Sequence, residues 1–162
     1  MGRYIIPILL TLVAAFFFFK KDRFESKTFT FQGNLFSNTE SKARNGVKNY
    51  FYTVKGKDLK YQTTFLQLLF FDKDASLALR EASCKAGRNN YGVKPLAGSS
   101  GYYFAGAARG IDITVYSVDL DLHGEYSCIF YITAQEKPFN ATLSQQQAPK
   151  VIQNLKALEN TF

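Results

Sequence analysis

The sequence predicts an α+β chain: a single N-terminal transmembrane helix followed by one small antiparallel β-sheet domain with two helices. Three observations carry this reading. From Tyr4 to Phe19 run sixteen uncharged, largely apolar residues, set between Arg3 and the cluster Lys20-Lys21-Asp22-Arg23. Beyond them, runs with period-two alternation recur between turn residues, as half-buried strands require. Two stretches, 72–86 and 144–158, have the length, cap residues and apolar spacing of helices.

The N-terminal run comes first. At about 1.5 Å per residue a helix of this length spans roughly 24 Å, short of a hydrocarbon core of about 30 Å. Arg3, Lys20 and Lys21 can lay their stems in the apolar layer and lift their charges to the headgroups. Tyr4 suits the interface, and Pro7 falls in the first helical turn. A cleaved signal peptide is the rival reading, with Val13-Ala14-Ala15 before the cut. It would leave a mature chain beginning with four phenylalanines, so residues 1–23 are read as a retained signal-anchor and 24–162 as the domain. A short head before the anchor and two well-separated cysteines favour an extracytoplasmic, periplasmic-type location, although the basic residues after the run point the other way.

Composition bounds the rest. Residues 24–162 suffice for one core, and the 46% hydrophobic and 16% aromatic content argues for folding. Sixteen Phe, ten Tyr and no Trp suggest an aromatic-packed β interior. The charge of the chain is +7, and that of residues 24–162 is +4, too little to point to nucleic acid. Lys42, Arg44, Lys48, Lys55, Lys57 and Lys60 are a candidate basic face toward anionic headgroups or an acidic partner.

Along the domain, residues 24–36 alternate loosely, with Phe29 and Phe31 on one face. Residues 37–46 are polar and read as a loop or short helix. Residues 49–55 and 59–71 form a hairpin, and 65–71 is apolar enough for a central strand covered on both faces. The helix over 72–86 is capped by Asp72 or Asp74 and stopped by Gly87; spacing alone does not say which of its faces is buried. Residues 88–103 read as a glycine-rich loop. A strand over 102–108 precedes a second hairpin over 112–134 that turns at His123-Gly124. Its first arm changes phase near Tyr116-Ser117, as a bulge would cause. A last helix starts at Ser144.

The chemistry is sparse. Cys84 and Cys128 are the only cysteines, and in an exported chain they predict one disulfide. With one His and no paired-Cys spacing, no metal site is read, and no cofactor. His123, beside Asp121 and Glu125, reads as a turn residue rather than an acid–base group. The glycines near 98–110 lack the Lys-Ser/Thr ending of a phosphate loop. Tyr102, Tyr103 and Arg109 are the candidate partner-binding residues, because exposed Tyr and Arg dominate interface energetics.

The reading is therefore a membrane-anchored, non-enzymatic interaction module at the cell envelope, engaging a protein partner as an accessory subunit or an inhibitor or immunity-type protein. A small hydrolase with an unidentified site is one alternative. An apolar N-terminal helix leading into an α+β domain with a Cys pair resembles type IV pilin-like subunits. That resemblance implies a pilin-like structural role, while the glycine–aromatic processing site and the Glu near the start of the apolar helix are missing here.

Overall fold

The computed structural model describes residues 22–55, 64–108, 111–134 and 140–162; the candidate anchor from Tyr4 to Phe19 lies outside them. Eight strands form one curled antiparallel sheet: β1 (Thr28–Phe31), β2 (Asn34–Arg44), β3 (Val47–Val54), β4 (Thr64–Phe71), β5 (Lys94–Pro95), β6 (Gly101–Ala108), β7 (Ile111–Asp121) and β8 (Tyr126–Ala134). Their order is β1-β2-β3-β4-β8-β7-β6-β5. Helix α1 (Leu77–Tyr91) follows β4, and α2 (Ala141–Lys156) follows β8 and runs into a 3-10 turn, Ala157–Asn160. Two four-stranded meanders are thus joined edge to edge by the β4–β8 ladder, where Leu68 pairs with Ile129.

The expectation of a transmembrane helix followed by a small sheet is corrected. Eight strands make the sheet the body of the domain, and among the described residues no helix is long and apolar enough to cross a membrane. The polar segment 37–46, expected as a loop or short helix, accounts for much of the additional sheet. It is most of β2, paired to β3 along its whole length, and its polar composition reflects a strand near the sheet edge.

Period-two alternation divides the side chains between two cores. On the inner face Phe29, Phe31, Phe36, Tyr50, Tyr52, Leu66, Leu68, Tyr116, Val118, Ile129 and Tyr131 pack against Ala148, Ile152 and Leu155 of α2. The curl brings β1 across this core, with the Phe31 and Tyr131 rings 4.9 Å apart. Phe162 closes it, its ring 5.2 Å from Phe29 and 5.5 Å from Tyr52. On the outer face Leu69, Phe71, Val115, Cys128, Phe130 and Ile132 pack beneath α1. β4 and β8 serve both cores, which is why their sequences are apolar almost without interruption.

The same two-sided burial corrects the bulge expected near Tyr116-Ser117. The β6–β7 and β7–β8 registers run through that point without a shift. Thr114, Val115, Tyr116, Ser117 and Val118 are all buried, so the apolar pattern passes from one covered face to the other with no break in pairing.

Helix α1 starts later than expected, at the Ser76 cap, whose side chain accepts from the Leu79 N–H, and it ends at Gly92 in the left-handed region. Gly87 lies inside it. A Cβ there would sit 2.8 Å from the Phe130 ring, so this glycine marks close approach of helix to sheet, not a stop. Residues 88–91 and 101, read as loop, belong to α1 and β6, and the strand expected over 102–108 is the rest of β6. Cys84 and Cys128 form a disulfide between α1 and β8. With a sequence separation of 44, the chain-entropy model gives it about 4 kcal/mol. In α2 the cap is Asn140, accepting from the Leu143 N–H, and Ser144 is buried within the helix.

The hairpins β1–β2, β2–β3 and β7–β8 turn on Gln32-Gly33, Asn45-Gly46 and His123-Gly124, each with both φ angles positive, as two-residue type I′ turns demand.

The α2–sheet contact yields a prediction. A Cβ on Gly101 would stand 2.5 Å from Ile152 Cγ2 and 2.9 Å from the Ser117 carbonyl oxygen, and the backbone oxygen cannot move aside. Gly101→Ala should cost about 1–3 kcal/mol and lower the melting temperature by several degrees. A calorimetric scan checks it; an unchanged or raised melting temperature contradicts the packing described.

Candidate functional site

Helix α1 buries an unusual stripe. Arg80, Cys84 and Arg88, spaced four apart, face the sheet, while Leu77 and Leu79 remain 59% and 38% exposed. Arg80, 6% exposed, ties down the chain leading into the helix. Its Nε donates to the Ala75 carbonyl at 3.0 Å, its Nη2 to the Asp72 carbonyl at 3.0 Å, and Nη1 lies 3.6 Å from Glu125 Oε2.

Arg88, 9% exposed, forms the wall of a cavity of about 470 Å³ between α1 and the β5–β6–β7 end of the sheet. Its Nη2 donates to Asp119 Oδ1 in a close ion pair and reaches the Tyr126 hydroxyl at 3.4 Å. Tyr126 in turn donates to Asp119 Oδ1 at 2.7 Å. The guanidinium stacks on Tyr102, with Cζ 4.0 Å from the ring centroid, in cation–π geometry. Among the described residues Arg88 Nε has no hydrogen-bond partner. Val93 and Pro95 supply apolar wall, and Glu81, Lys85 and Asn89 form an exposed rim on α1. Strand alternation explains the convergence: Asp119 pairs with Cys128, one same-face step from Tyr126 along β8, and Tyr102 pairs with Ser117, one such step from Asp119 along β7.

The cavity offers stacking and hydrogen bonding. Arg88, Asp119 and Tyr126 form a closed donor–acceptor cycle, and burial pushes the Tyr126 hydroxyl up from its usual value, against the lowering effect of Arg88. At neutral pH the Tyr126 hydroxyl therefore keeps its proton and acts as a donor.

A second cavity, also about 470 Å³, has Phe24, Phe70, Phe71 and Leu122 in its lining with charged residues around them. Several of those charges have partners at the cavity wall. Lys48 Nζ stands 3.8 Å from Asp22 and 3.5 Å from Asp72, Tyr50 donates to Asp22 at 2.7 Å, and the Arg23 guanidinium lies 4.6 Å over the Phe24 ring. His123 lines this cavity from an exposed hairpin tip at φ 61°, its Nε2 3.3 Å from the Phe162 carbonyl oxygen.

The residues singled out from sequence fall in several places. Tyr102 is in the Arg88 cavity. Tyr103, on the opposite face, donates to Ser144 Oγ at 2.8 Å and packs 5.5 Å from Tyr116, so it belongs to the α2 side of the domain. Arg109, Lys57 and Lys60 lie outside the described residues. The remaining basic residues do not share a face. Lys42 is on the side of Phe51, 5.7 Å from its ring, and is ion-paired to Glu40 at 2.8 Å. Lys48 pairs in register with Ala43 and shares the face of Tyr50. Lys55 sits beyond the far end of β3 from Lys48, and Arg44 at the end of β2. Arg88, Asp119 and Tyr126 were not singled out. Reading 88–103 as loop hid the one available signal, an Arg four residues after a Cys on a helix.

No protein-family model, curated protein or solved structure matches the chain.

The buried tyrosines give a pH prediction. Burial raises Tyr91 and Tyr116 to about 12, and raises Tyr50, Tyr52, Tyr126 and Tyr131. Unfolded tyrosine loses its proton near pH 10, so above that pH the unfolded chain binds fewer protons than the folded one. The contribution of these rings to stability is therefore complete below about pH 10 and is lost as pH rises toward 12. Alkaline titration should show tyrosinate absorbance from the buried rings only together with loss of circular dichroism. Full ionisation near pH 10 in a folded chain contradicts it.

Proposed function

We propose that this domain is an extracytoplasmic, non-enzymatic interaction module that engages a protein partner through the Arg88 cavity, as an accessory subunit or an inhibitor. One observation carries the reading. A buried arginine is held rigid by Asp119, Tyr126 and Tyr102 in a cavity wall, with an exposed rim of Glu81, Lys85 and Asn89. Rigid aromatic and Arg groups around a cavity are the anchor type on which interface affinity concentrates. Their closed hydrogen-bond cycle supports binding over proton-transfer chemistry. The disulfide between buried Cys84 and Cys128 supports an oxidising compartment, where such bonds persist.

The rim is where binding and folding separate, because exposed substitutions usually change stability by less than about 0.5 kcal/mol. Reversing it with Glu81→Lys and Lys85→Glu should leave the melting temperature within a degree or two. It should also abolish capture of the partner that the unmodified chain retains. A photo-crosslinking residue at position 89 should trap the same partner. Undiminished capture by the reversed rim, with no crosslink at 89, would place the binding surface elsewhere.

A further inference from the structure

The two edges of the sheet are defended unequally. At one edge β1 covers β2 only from Asn34 to Ser37. The rest of β2 carries a register shift between Asn38 and Glu40 and charged Glu40, Lys42 and Arg44, and the Asn38 side chain donates to the Glu40 and Phe51 carbonyls at 3.2 Å. Bulges and charges of this kind block strand addition. At the other edge β5 covers only Tyr102 and Tyr103 of β6. The remaining run, from Phe104 to Ala108, contains no charge, no proline and no bulge.

The alternation of β6 fixes which backbone groups look outward. The Leu96 N–H donates to the Gly101 carbonyl at 3.0 Å, so Gly101 points away from β7, and Tyr103, which pairs with Lys94, points the same way. Ala105 and Ala107 follow in phase, with N–H and C=O directed out of the sheet. Among the described residues nothing pairs with them. The central residue of the free run is Gly106, and the Phe104 ring folds back over it: a Cβ at Gly106 would meet Phe104 Cζ at 3.0 Å.

We propose that a second copy of this chain pairs with this edge, β6 against β6, antiparallel about a two-fold axis through Gly106. The free run is symmetric for that operation. Ala105 of each copy meets Ala107 of the other in a hydrogen-bonded pair, and Gly106 meets Gly106 in the close, non-hydrogen-bonded position, where Cα atoms approach to about 4.5 Å and side chains crowd most. Glycine removes that crowding, and the paired Phe104 rings flank the axis on the outer face. A like-charged second copy meets no opposing charge along an uncharged edge. The result is a continuous sheet across two chains. This surface is distinct from the Arg88 cavity, and the two readings stand or fall separately.

The test is sedimentation velocity of the full chain in density-matched detergent, from about 1 to about 300 μM, the range in which so short an edge should associate. The mass should rise from the 18.3 kDa monomer toward its double. Ala107→Pro deletes an outward N–H, and Ala107→Lys sets a charge at the edge on an exposed residue. Both variants should remain monomeric across the range, with the melting temperature of the unmodified monomer. Both keep the N-terminal apolar run, so association through that run would persist in them. A chain that is monomeric throughout, or a dimer that survives both substitutions, overturns the proposal.

Discussion

Helix α1 is held to the sheet by the Cys84–Cys128 disulfide, flanked along the helix by two buried arginines, rather than by an apolar stripe. Amphipathic helices commonly dock by burying a band of Leu, Ile and Val. Here the buried positions are Arg80, Cys84 and Arg88, and the two leucines of the first turn face solvent. Removing the partner of a buried arginine is costly, and each arginine is positioned only when the helix is seated. Cys84–Cys128 fixes the seat, and Gly87 allows it by letting the helix approach the Phe130 ring. The rest of the outer face follows from that docking. Arg80 organises the chain between β4 and α1, the apolar residues of β4, β7 and β8 are covered, and Arg88 becomes the wall of a cavity.

The inner face is built on the opposite principle. Phe24, Phe29, Phe36, Tyr50, Tyr52, Tyr131 and Phe162 form an aromatic network that α2 completes with Ala148, Ile152 and Leu155. Its polar atoms find local partners: Tyr52 donates to the Phe24 carbonyl at 2.9 Å and Tyr103 to Ser144 Oγ at 2.8 Å. Lys156 anchors the end of α2 by donating to the Asp119 carbonyl at 2.8 Å, on the same residue whose carboxylate holds Arg88. Asp119 therefore couples the packing of the two helices through the thickness of the sheet.

Much of the strand framework was legible because β-period alternation and turn chemistry act locally. Phe29 and Phe31 on one face, the two-sided burial of β4 and the His123-Gly124 turn all follow from a few neighbouring residues. What escaped depends on distant partners. The polar residues of β2 read as loop because pairing to β3, not composition, makes them a strand. Gly87 has the same letter as a helix stop, and only the Phe130 ring shows otherwise. Lys42 and Lys48 look like one basic cluster in sequence, yet alternation and the β2–β3 register put them on opposite faces. The Arg88 site was illegible for the same reason: Tyr102, Asp119 and Tyr126 converge through strand pairing that spacing along the chain does not encode.

If the disulfide seats α1, its loss should release that helix before the sheet. Hydrogen exchange of the full chain, oxidised and after replacement of both Cys84 and Cys128 by Ala, reads this directly. Amides of α1 should lose protection by at least about tenfold more than those of the β4–β8 ladder, which keeps its inner core, in the manner of a local opening unit. Equal loss of protection across α1 and the ladder, or no loss in α1, would contradict the account, because the helix would then be held by packing that the described contacts do not contain.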